Sequence, residues 1–461
     1  MTILEEIARW CSQASLPQEG IARERSRNAI IDTLACMFAG ADDPVTQCAR
    51  AAARHWGRGQ ASALRLTEGL PAASAAFVNG TAAHALDYDD IFPPSNNHAS
   101  AVLVPALLAL GEEQQSSGRD VIDAYIVGLQ AMSLIGRGVM RSHYEIGWHT
   151  TATIGLIGTA AACARLLKLS PEQTGHAISI GVTMASGPKV QFGTMVKAAH
   201  AGLAAQQAVQ AAQMAQAGMA GSAHALDGKF GLLWLQGGEQ AAGWERDRGR
   251  VESMPLAIAT GGLLTKRFPC CGSSHRILDL LIEVMAERHL AVEDINNIET
   301  HIGHGNALNL MYDQPKTGME ARFSMPYAVA LALRHGRPRI QDFTDDAVLR
   351  SDIRALFPLV TVIPHPPQKG ETEPALLPHR LVIRMRGGVV YERARLHPVG
   401  NILEPLSSQD LQTKFDDCCR AVLSEEQAEQ LLRRCLACDA EQPIRLLTEH
   451  LPLAHTFSER L

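Results

Sequence analysis

Aromatic residues are scarce: phenylalanine, tryptophan and tyrosine together make up 5% of the 461 residues. A β-sandwich or barrel, which leans on aromatic and β-branched side chains, fits that supply poorly. Positive charge is not in excess either. The 42 Lys and Arg are outnumbered by 48 Asp and Glu, for a net charge of −6, so there is no basic footprint for nucleic acid or an acidic membrane surface. Ten cysteines are too few to staple a chain of this length with disulfides. Uncharged apolar runs stop short of the ~18 residues that a membrane span needs; the nearest, Ile154 to Leu169, contains Arg165 and Lys168. The opening MTILEEIARWCSQ reads as an amphipathic helix with two glutamates, not as a signal peptide. Gly-rich dinucleotide fingerprints and the Gly-x-Ser-x-Gly elbow are missing from the sequence. The expected setting is cytoplasmic, with a small-molecule substrate and neither nucleic acid nor membrane as partner.

What is present is alanine and helical periodicity. Ala22–Gly40, Pro71–Asp90, Val102–Ser117, Val121–Met140, Thr150–Leu169, Pro171–Ala185 and Thr194–Ala217 all repeat a helical pattern. Ser170 followed by Pro171 fits an N-cap with proline at the first helical position. After about Leu263 the pattern changes. Ile295–His301 and Leu359–Ile363 are short and β-branched, and Leu381–Met385 and Val389–Leu396 flank Arg386-Gly387-Gly388 as a hairpin. Helices are expected at Ser273–His289 and Met325–His335, and again at Gln409–Leu423 and Glu425–Cys438. The fold class is therefore mainly α with a smaller α+β domain. Residues 1–264 and 400–461 would form one large all-helical domain built from both ends of the chain, and 265–399 an inserted α+β lid. The run from Pro364 to Arg380 is a proline-rich loop. Clefts between domains are preferred sites for small ligands.

Four polar blocks stand out on this background. The first, NGTAAHALDYDDIFPPSNNHAS from Asn79 to Ser100, ends an alanine-rich helix with His84, Asp87, Asp89 and Asp90, then Pro93-Pro94, then His98. His84 and Asp87 are three apart, on one helical face. Such groups are costly to bury beside alanine unless they serve one another or a ligand; the blander reading is a helix end with solvated acids. The second runs from Tyr144 to Thr151 and carries His149 before a helix, where the dipole favours a neutral imidazole base; otherwise it is a capping segment. In the third, Lys197 and His200 share a helical face, either near a substrate anion or with the lysine snorkelling to water. The fourth, Lys266-Arg267-Phe268-Pro269-Cys270-Cys271-Gly272-Ser273-Ser274-His275, makes a carboxylate-binding corner or a charged linker. Zinc at Cys418, Cys419, Cys435 and Cys438 is disfavoured because those cysteines fall in helical patterns. Magnesium at Asp87, Asp89 and Asp90 is disfavoured because a phosphate loop is lacking. The expectation is an enzyme with neither metal nor cofactor.

Taken in order, these blocks resemble the MmgE/PrpD family, which includes 2-methylcitrate dehydratase, cis-aconitate decarboxylase and iminodisuccinate epimerase. The resemblance covers most of the chain: Asn79-Gly80 with His84 to Asp90, the His98 block, Gly147-Trp148-His149-Thr150, Lys197-x-x-His200-x-Gly202, Lys266 to Cys271 with His275, Glu320 to Ala328, and Lys414-Phe415. It implies a helical domain with an α+β lid and a cofactor-free homodimer acting on small di- or tricarboxylates. It also implies that Asp87, His98, His149 and Lys197 line the active site, with Lys266 and Cys271 at the lid edge and His84 in support. Tyr144 and His275 complete the substrate-binding candidates. Departures are Ile91 where some members have threonine, His98-Ala99-Ser100 for His-Pro-Ser, and Cys271 where the decarboxylase has a catalytic histidine. The expected chemistry starts with proton abstraction beside a carboxylate. His149 would be the base, Asp87 would orient a histidine or act as an alternate base, His98 would protonate a leaving hydroxyl, and Lys197 and Lys266 would clamp carboxylates. Dehydration of a 2-methylcitrate-like hydroxy acid leads. Epimerisation of the iminodisuccinate type, with Tyr144, Lys197 or His98 as second base, is the alternative; aconitate-type decarboxylation and an inactive binding protein follow.

Overall fold

The computed structural model describes residues 1–140, 142–365, 377–420, 422–440 and 442–452. Nine long helices fill its first half: α1 (Ile3–Gln13), α2 (Ile21–Ala39), α3 (Pro44–Ala53), α4 (Ala72–Ala85), α5 (Ala99–Glu113), α6 (Gly118–Val139), α7 (Ile154–Leu166), α8 (Pro171–Met184) and α9 (Met195–Gln216). Local chemistry sets several starts. Ser170 accepts from Gln173 N–H ahead of Pro171, and Ser117 and Asp120 close a reciprocal capping box on α6. The centre of this half is the crossing of α4 and α9. Every residue of α4 is buried, and a Cβ added to Gly80 would come 3.0 Å from Gly202 Cα. One on Gly202 would overlap Thr81 Oγ1 and the Phe77 carbonyl. Glycine at both positions lets the two backbones touch.

The helix expected over Pro71–Asp90 stops at Ala85. Asp87 takes a left-handed φ of +52°, a conformation aspartate tolerates better than most residues. His84 and Asp87 therefore do not share a helical face, and Pro93-Pro94 lie in a 3₁₀ turn beyond the helix rather than at its end. The helix expected from Thr150 begins at Ile154, because the Thr150 hydroxyl donates to the Asn96 carbonyl instead of capping. A hairpin of β1 (Ala61–Ala63) and β2 (Leu66–Leu70), which the periodicity did not announce, lies among the helices.

The α+β part holds α10 (His275–Arg288), β3 (Ile295–Ile302), α11 (Met325–His335), β4 (Val360–Pro364), β5 (His379–Met385) and β6 (Val390–Arg395). Its sheet order is β4-β3-β5-β6, with β3 and β4 parallel and the other pairs antiparallel. The β5–β6 turn places Gly388 at φ +84°, as its Gly-Gly pair foreshadows. Positions 366–376 of the proline-rich run lie outside the described residues. The chain then returns through α12 (Ser408–Cys419) and α13 (Glu425–Leu436). Two apolar cores result. One gathers side chains from Ile3 to Ile258 and again from Phe415 to Leu451; the other runs from Phe268 to Ile383 and takes in Phe192 from the helical half. The two crossings lie side by side. Ile91 and Leu264 exchange backbone hydrogen bonds of 2.9 and 2.8 Å, and Thr265 N–H reaches the Gly400 carbonyl at 3.0 Å.

Candidate active site

The abrupt end of α4 turns three acids back toward the helix. Asp89 is wholly buried and receives His84 Nδ1 at 2.9 Å, while His98 Nδ1 stands 3.1 Å from the same carboxylate oxygen. The two imidazoles lie 4.4 Å apart, centroid to centroid. Burial pushes His84 down to about 3, so it is neutral at physiological pH and donates Nδ1–H to an ionised Asp89. His98 is likewise lowered, by burial first. Asp90, next along, turns away and accepts from the Ser100 hydroxyl; burial raises its carboxyl to about 7.

Asp87 gathers the cations. The ammonium of Lys197, on the first turn of α9, pairs with its Oδ1. Lys266, from the crossing into the α+β part, donates to the Asp87 carbonyl at 2.6 Å and lies 3.1 Å from Oδ2. All three are at most 3% exposed. Burial opposes the Asp87 charge, but Lys197 and Lys266 outweigh it and hold the carboxyl far below its ordinary range. The same balance works in reverse on Lys266: burial disfavours the ammonium, and Asp87 and Asp89 raise it overall. Both lysines are therefore buried and poised beside one anion.

His149 sits across from this pair. Its backbone N–H is held by the Gly187 carbonyl at 2.8 Å. Its ring centroid is 5.9 Å from that of His84, 6.4 Å from His98, and 5.0 Å from the edge-on ring of Phe192. Burial, followed by the charge of Lys197, pushes its pKa well below the ordinary histidine range. Phe192 in turn packs on Phe323 from the α+β part, 5.9 Å away. A neutral imidazole thus faces the Lys197 ammonium inside apolar walls.

The structure brings His84, Asp87, His98, His149, Lys197 and Lys266 into one cluster. Cys271 is placed at its edge, close enough for Asp87 to add to the burial that raises its thiol pKa. Tyr144 instead reaches across to the α+β part, donating to Asn309 Oδ1 at 3.0 Å with Lys189 above its ring. His275 points Nε2 to the Cys270 carbonyl at 3.1 Å and packs on Phe268, a posture that shapes the corner rather than facing Asp87. Sequence reasoning gave no role to Asp89, the pivot between two histidines, or to His200. Phe192 left no signal beyond being aromatic in a chain with few aromatics, and Phe323 none beyond lying in the Glu320 to Ala328 block.

Ligand atoms of His84, Asp87, Asp89 and His98 lie within 4.8 Å of one another, which would suit a divalent cation by distance alone. The donor set does not suit it. Asp87 already faces two ammonium groups, and a third buried cation would meet their repulsion. A cavity of about 580 Å³ opens elsewhere, between residues such as Thr183, Met214, His224 and Phe230, and shares no residue with the cluster.

A helical body joined to an α+β part, with buried lysines and neutral histidines at the seam, defines a two-part, mainly α class of protein with an ionised cluster inside it. The comparisons agree with that class. Residues 5–243 match the MmgE/PrpD N-terminal domain and residues 268–437 the MmgE/PrpD C-terminal domain; the chain belongs to the MmgE/PrpD family. Human cis-aconitate decarboxylase is 28% identical over 437 residues, covering 89% of this chain and 86% of that protein. The mouse protein of the same name is 27% identical over 429 residues, with 90% and 86% covered. Cis-aconitate decarboxylase of Aspergillus terreus is 24% identical over 474 residues, with 97% and 96% covered. These relatives are named for decarboxylation, the outcome the sequence reading placed behind dehydration and epimerisation.

Proposed function

We propose that this chain is a lyase that removes a proton from a carbon next to a carboxylate in a small di- or tricarboxylate, using only its own side chains. The observation that carries this reading is neutral His149 beside Lys197, whose partner Asp87 also holds Lys266. A C–H beside a carboxylate is a weak acid, so its removal needs an unprotonated base and cations to hold the developing dianion. His149 is the base; Lys197 and Lys266 exchange part of their bond to Asp87 for substrate carboxylates. His98, 3.7 Å by Nε2 from Asp87 Oδ1, delivers a proton to a leaving hydroxyl after first taking one up, since burial keeps its resting ring neutral. Dehydration of a 2-methylcitrate-like acid follows directly from that set.

Decarboxylation is the second reading, and the names of the relatives favour it. Cys271 weighs against it. Burial keeps this thiol neutral, and a neutral thiol is a poor proton donor where an imidazolium would be needed. Incubation with a panel of di- and tricarboxylates in D₂O, followed by NMR, tests both. Dehydration gives a new alkene with solvent deuterium in unreacted substrate, decarboxylation gives carbon dioxide, and epimerisation gives deuterium alone. A protein that binds these acids yet exchanges no proton, with binding indifferent to His149→Ala, sinks the lyase reading. The large apolar side chains exposed on the single chain, among them Val190, Met195, Val196, Phe230, Trp234 and Leu235, suit a homodimer; light scattering on the purified protein tests it.

A further inference from the structure

We infer that His200 is a positioning residue that fixes the tautomer of His149 and leads the abstracted proton away from the site. This rests on the proposed role of His149 as base.

The two imidazoles meet Nδ1 to Nδ1 at 3.0 Å, with ring centroids 5.2 Å apart and planes tilted by 44°. Two neutral imidazoles can share such a bond in one way only: one Nδ1 carries the hydrogen and the other presents its lone pair. A base must keep a lone pair on the nitrogen facing the substrate. Among the described residues Nε2 of His149 makes no hydrogen bond; the ring stacks on His84 and meets His98 edge to face. The hydrogen of His149 therefore belongs on Nδ1, donated to Nδ1 of His200, whose own hydrogen sits on Nε2. The backbone is arranged for the pair. Lys197 and His200 are one turn apart on α9, and Gly187, whose carbonyl holds the His149 N–H, leaves its Cβ position 3.6 Å from His200 Nδ1.

The same bond gives the proton a route. When Nε2 of His149 takes the substrate proton, the C–H bond breaks and its electron pair stays on carbon. The Nδ1 hydrogen passes to Nδ1 of His200, so His149 is neutral again and His200 carries the positive charge. The charged and titratable groups facing the pair are Lys197 from α9, His84 from the last turn of α4, His98 at the start of α5, and Asp87 behind Lys197. Lys197 pushes a charge off both rings. His200, which burial and Lys197 lower to about 4, resists it less than His149, lowered also by His84 and His98.

The test is nitrogen-15 NMR of histidine-labelled protein, with His149 assigned through His149→Gln. In the native chain His149 should show Nδ1 protonated and Nε2 bare. His200→Phe should lose that preference and lower kcat about 10²-fold or more, the scale on which a wrong tautomer harms a histidine base, with KM little changed. His200→Asn, whose amide oxygen can accept from Nδ1, should restore the tautomer but only part of kcat, because an amide cannot take the proton onward. A native His149 protonated at Nε2, or a His200→Phe protein with unchanged tautomer and kcat, overturns the inference. The tautomer needs no substrate to be read. A correct tautomer with no proton exchange on any polycarboxylate leaves the pairing standing and rejects the lyase reading instead.

Discussion

Asp87 and Asp90 are three positions apart and oppositely treated by their surroundings. Asp87 is ionised because two ammonium groups face it; the ammonium groups are tolerated in the interior only because Asp87 is there. Asp87→Asn should therefore destabilise the protein by about 3–5 kcal/mol, the cost of leaving buried charge unpaired. An unreactive tricarboxylate should recover much of it by supplying the missing anion. Urea midpoints with and without that ligand check this, and an unchanged midpoint for the bare variant would show that the lysines reach water. Asp90 behaves in the other direction. Its folded-state carboxyl is raised from 3.8 to about 7 by burial, so the folded protein keeps a proton that the unfolded chain has released. The stability from neutral Asp90 is complete below pH ~4 and declines as the pH climbs through 7. Asp90→Asn should then match the parent in acid and exceed it by up to about 4 kcal/mol at pH 8, at ~1.4 kcal/mol for each pH unit. A stability difference that stays flat between pH 5 and pH 8 contradicts this.

Among the elements, α12 acts at a distance from its own place in the chain. Lys414 on it is 1% exposed. Its ammonium donates to the Tyr88 carbonyl at 2.8 Å, lies 2.7 Å from Asp32 Oδ1 on α2, and hangs 4.1 Å over the Tyr88 ring. Tyr88 is the residue between Asp87 and Asp89, so the C-terminal part of the chain grips the turn on which the cluster is built. Lys414→Met should lower stability by about 3–5 kcal/mol by stranding Asp32. Asp32→Leu combined with Lys414→Met should regain most of that loss, yet kcat should stay low because Tyr88 has lost its donor. Recovery of kcat along with the melting temperature would make Lys414 merely structural.

Such links set how far sequence could be read. Met325–His335 was legible to the residue because Ser324 caps it, Pro326 fits its first turn and Gly336 ends it at φ +76°. The end of α4 was not, since a helix buried on every side has no face to lose and Asp87 turns left-handed without the usual glycine. The β1–β2 hairpin hid for a similar reason: its turn uses Arg65 at φ +59° in place of Asn-Gly. The Lys197/His200 spacing announced a shared face, but not the partner 51 positions earlier in the chain.

At the scale of the molecule, the cluster lies where two separately packed cores meet. His149 and Phe192 come from the helical half, Phe323 and Cys271 from the α+β half, and Lys266 from one of the two crossings between them. With Asp87, His149, Lys197 and Lys266 each at most 3% exposed, entry of a tricarboxylate under the proposed function requires the halves to part, with the paired crossings at Leu264–Thr265 and Gly400 as the proposed hinge. Each half has its own core, so each should also melt with its own midpoint, and calorimetry of the free protein should resolve two components. A ligand that touches both halves stabilises only the state in which both are folded and closed. At one hundred times its Kd it adds about 2.7 kcal/mol, and it should draw the two components into one transition at higher temperature. Lys266→Met, which removes the cation at the crossing, should bind the same acid more weakly and keep the transitions separate at that concentration. If saturating tricarboxylate instead raises one component and leaves the other in place, the acid is held by one half alone, and closure of the two halves is no part of how this protein binds it.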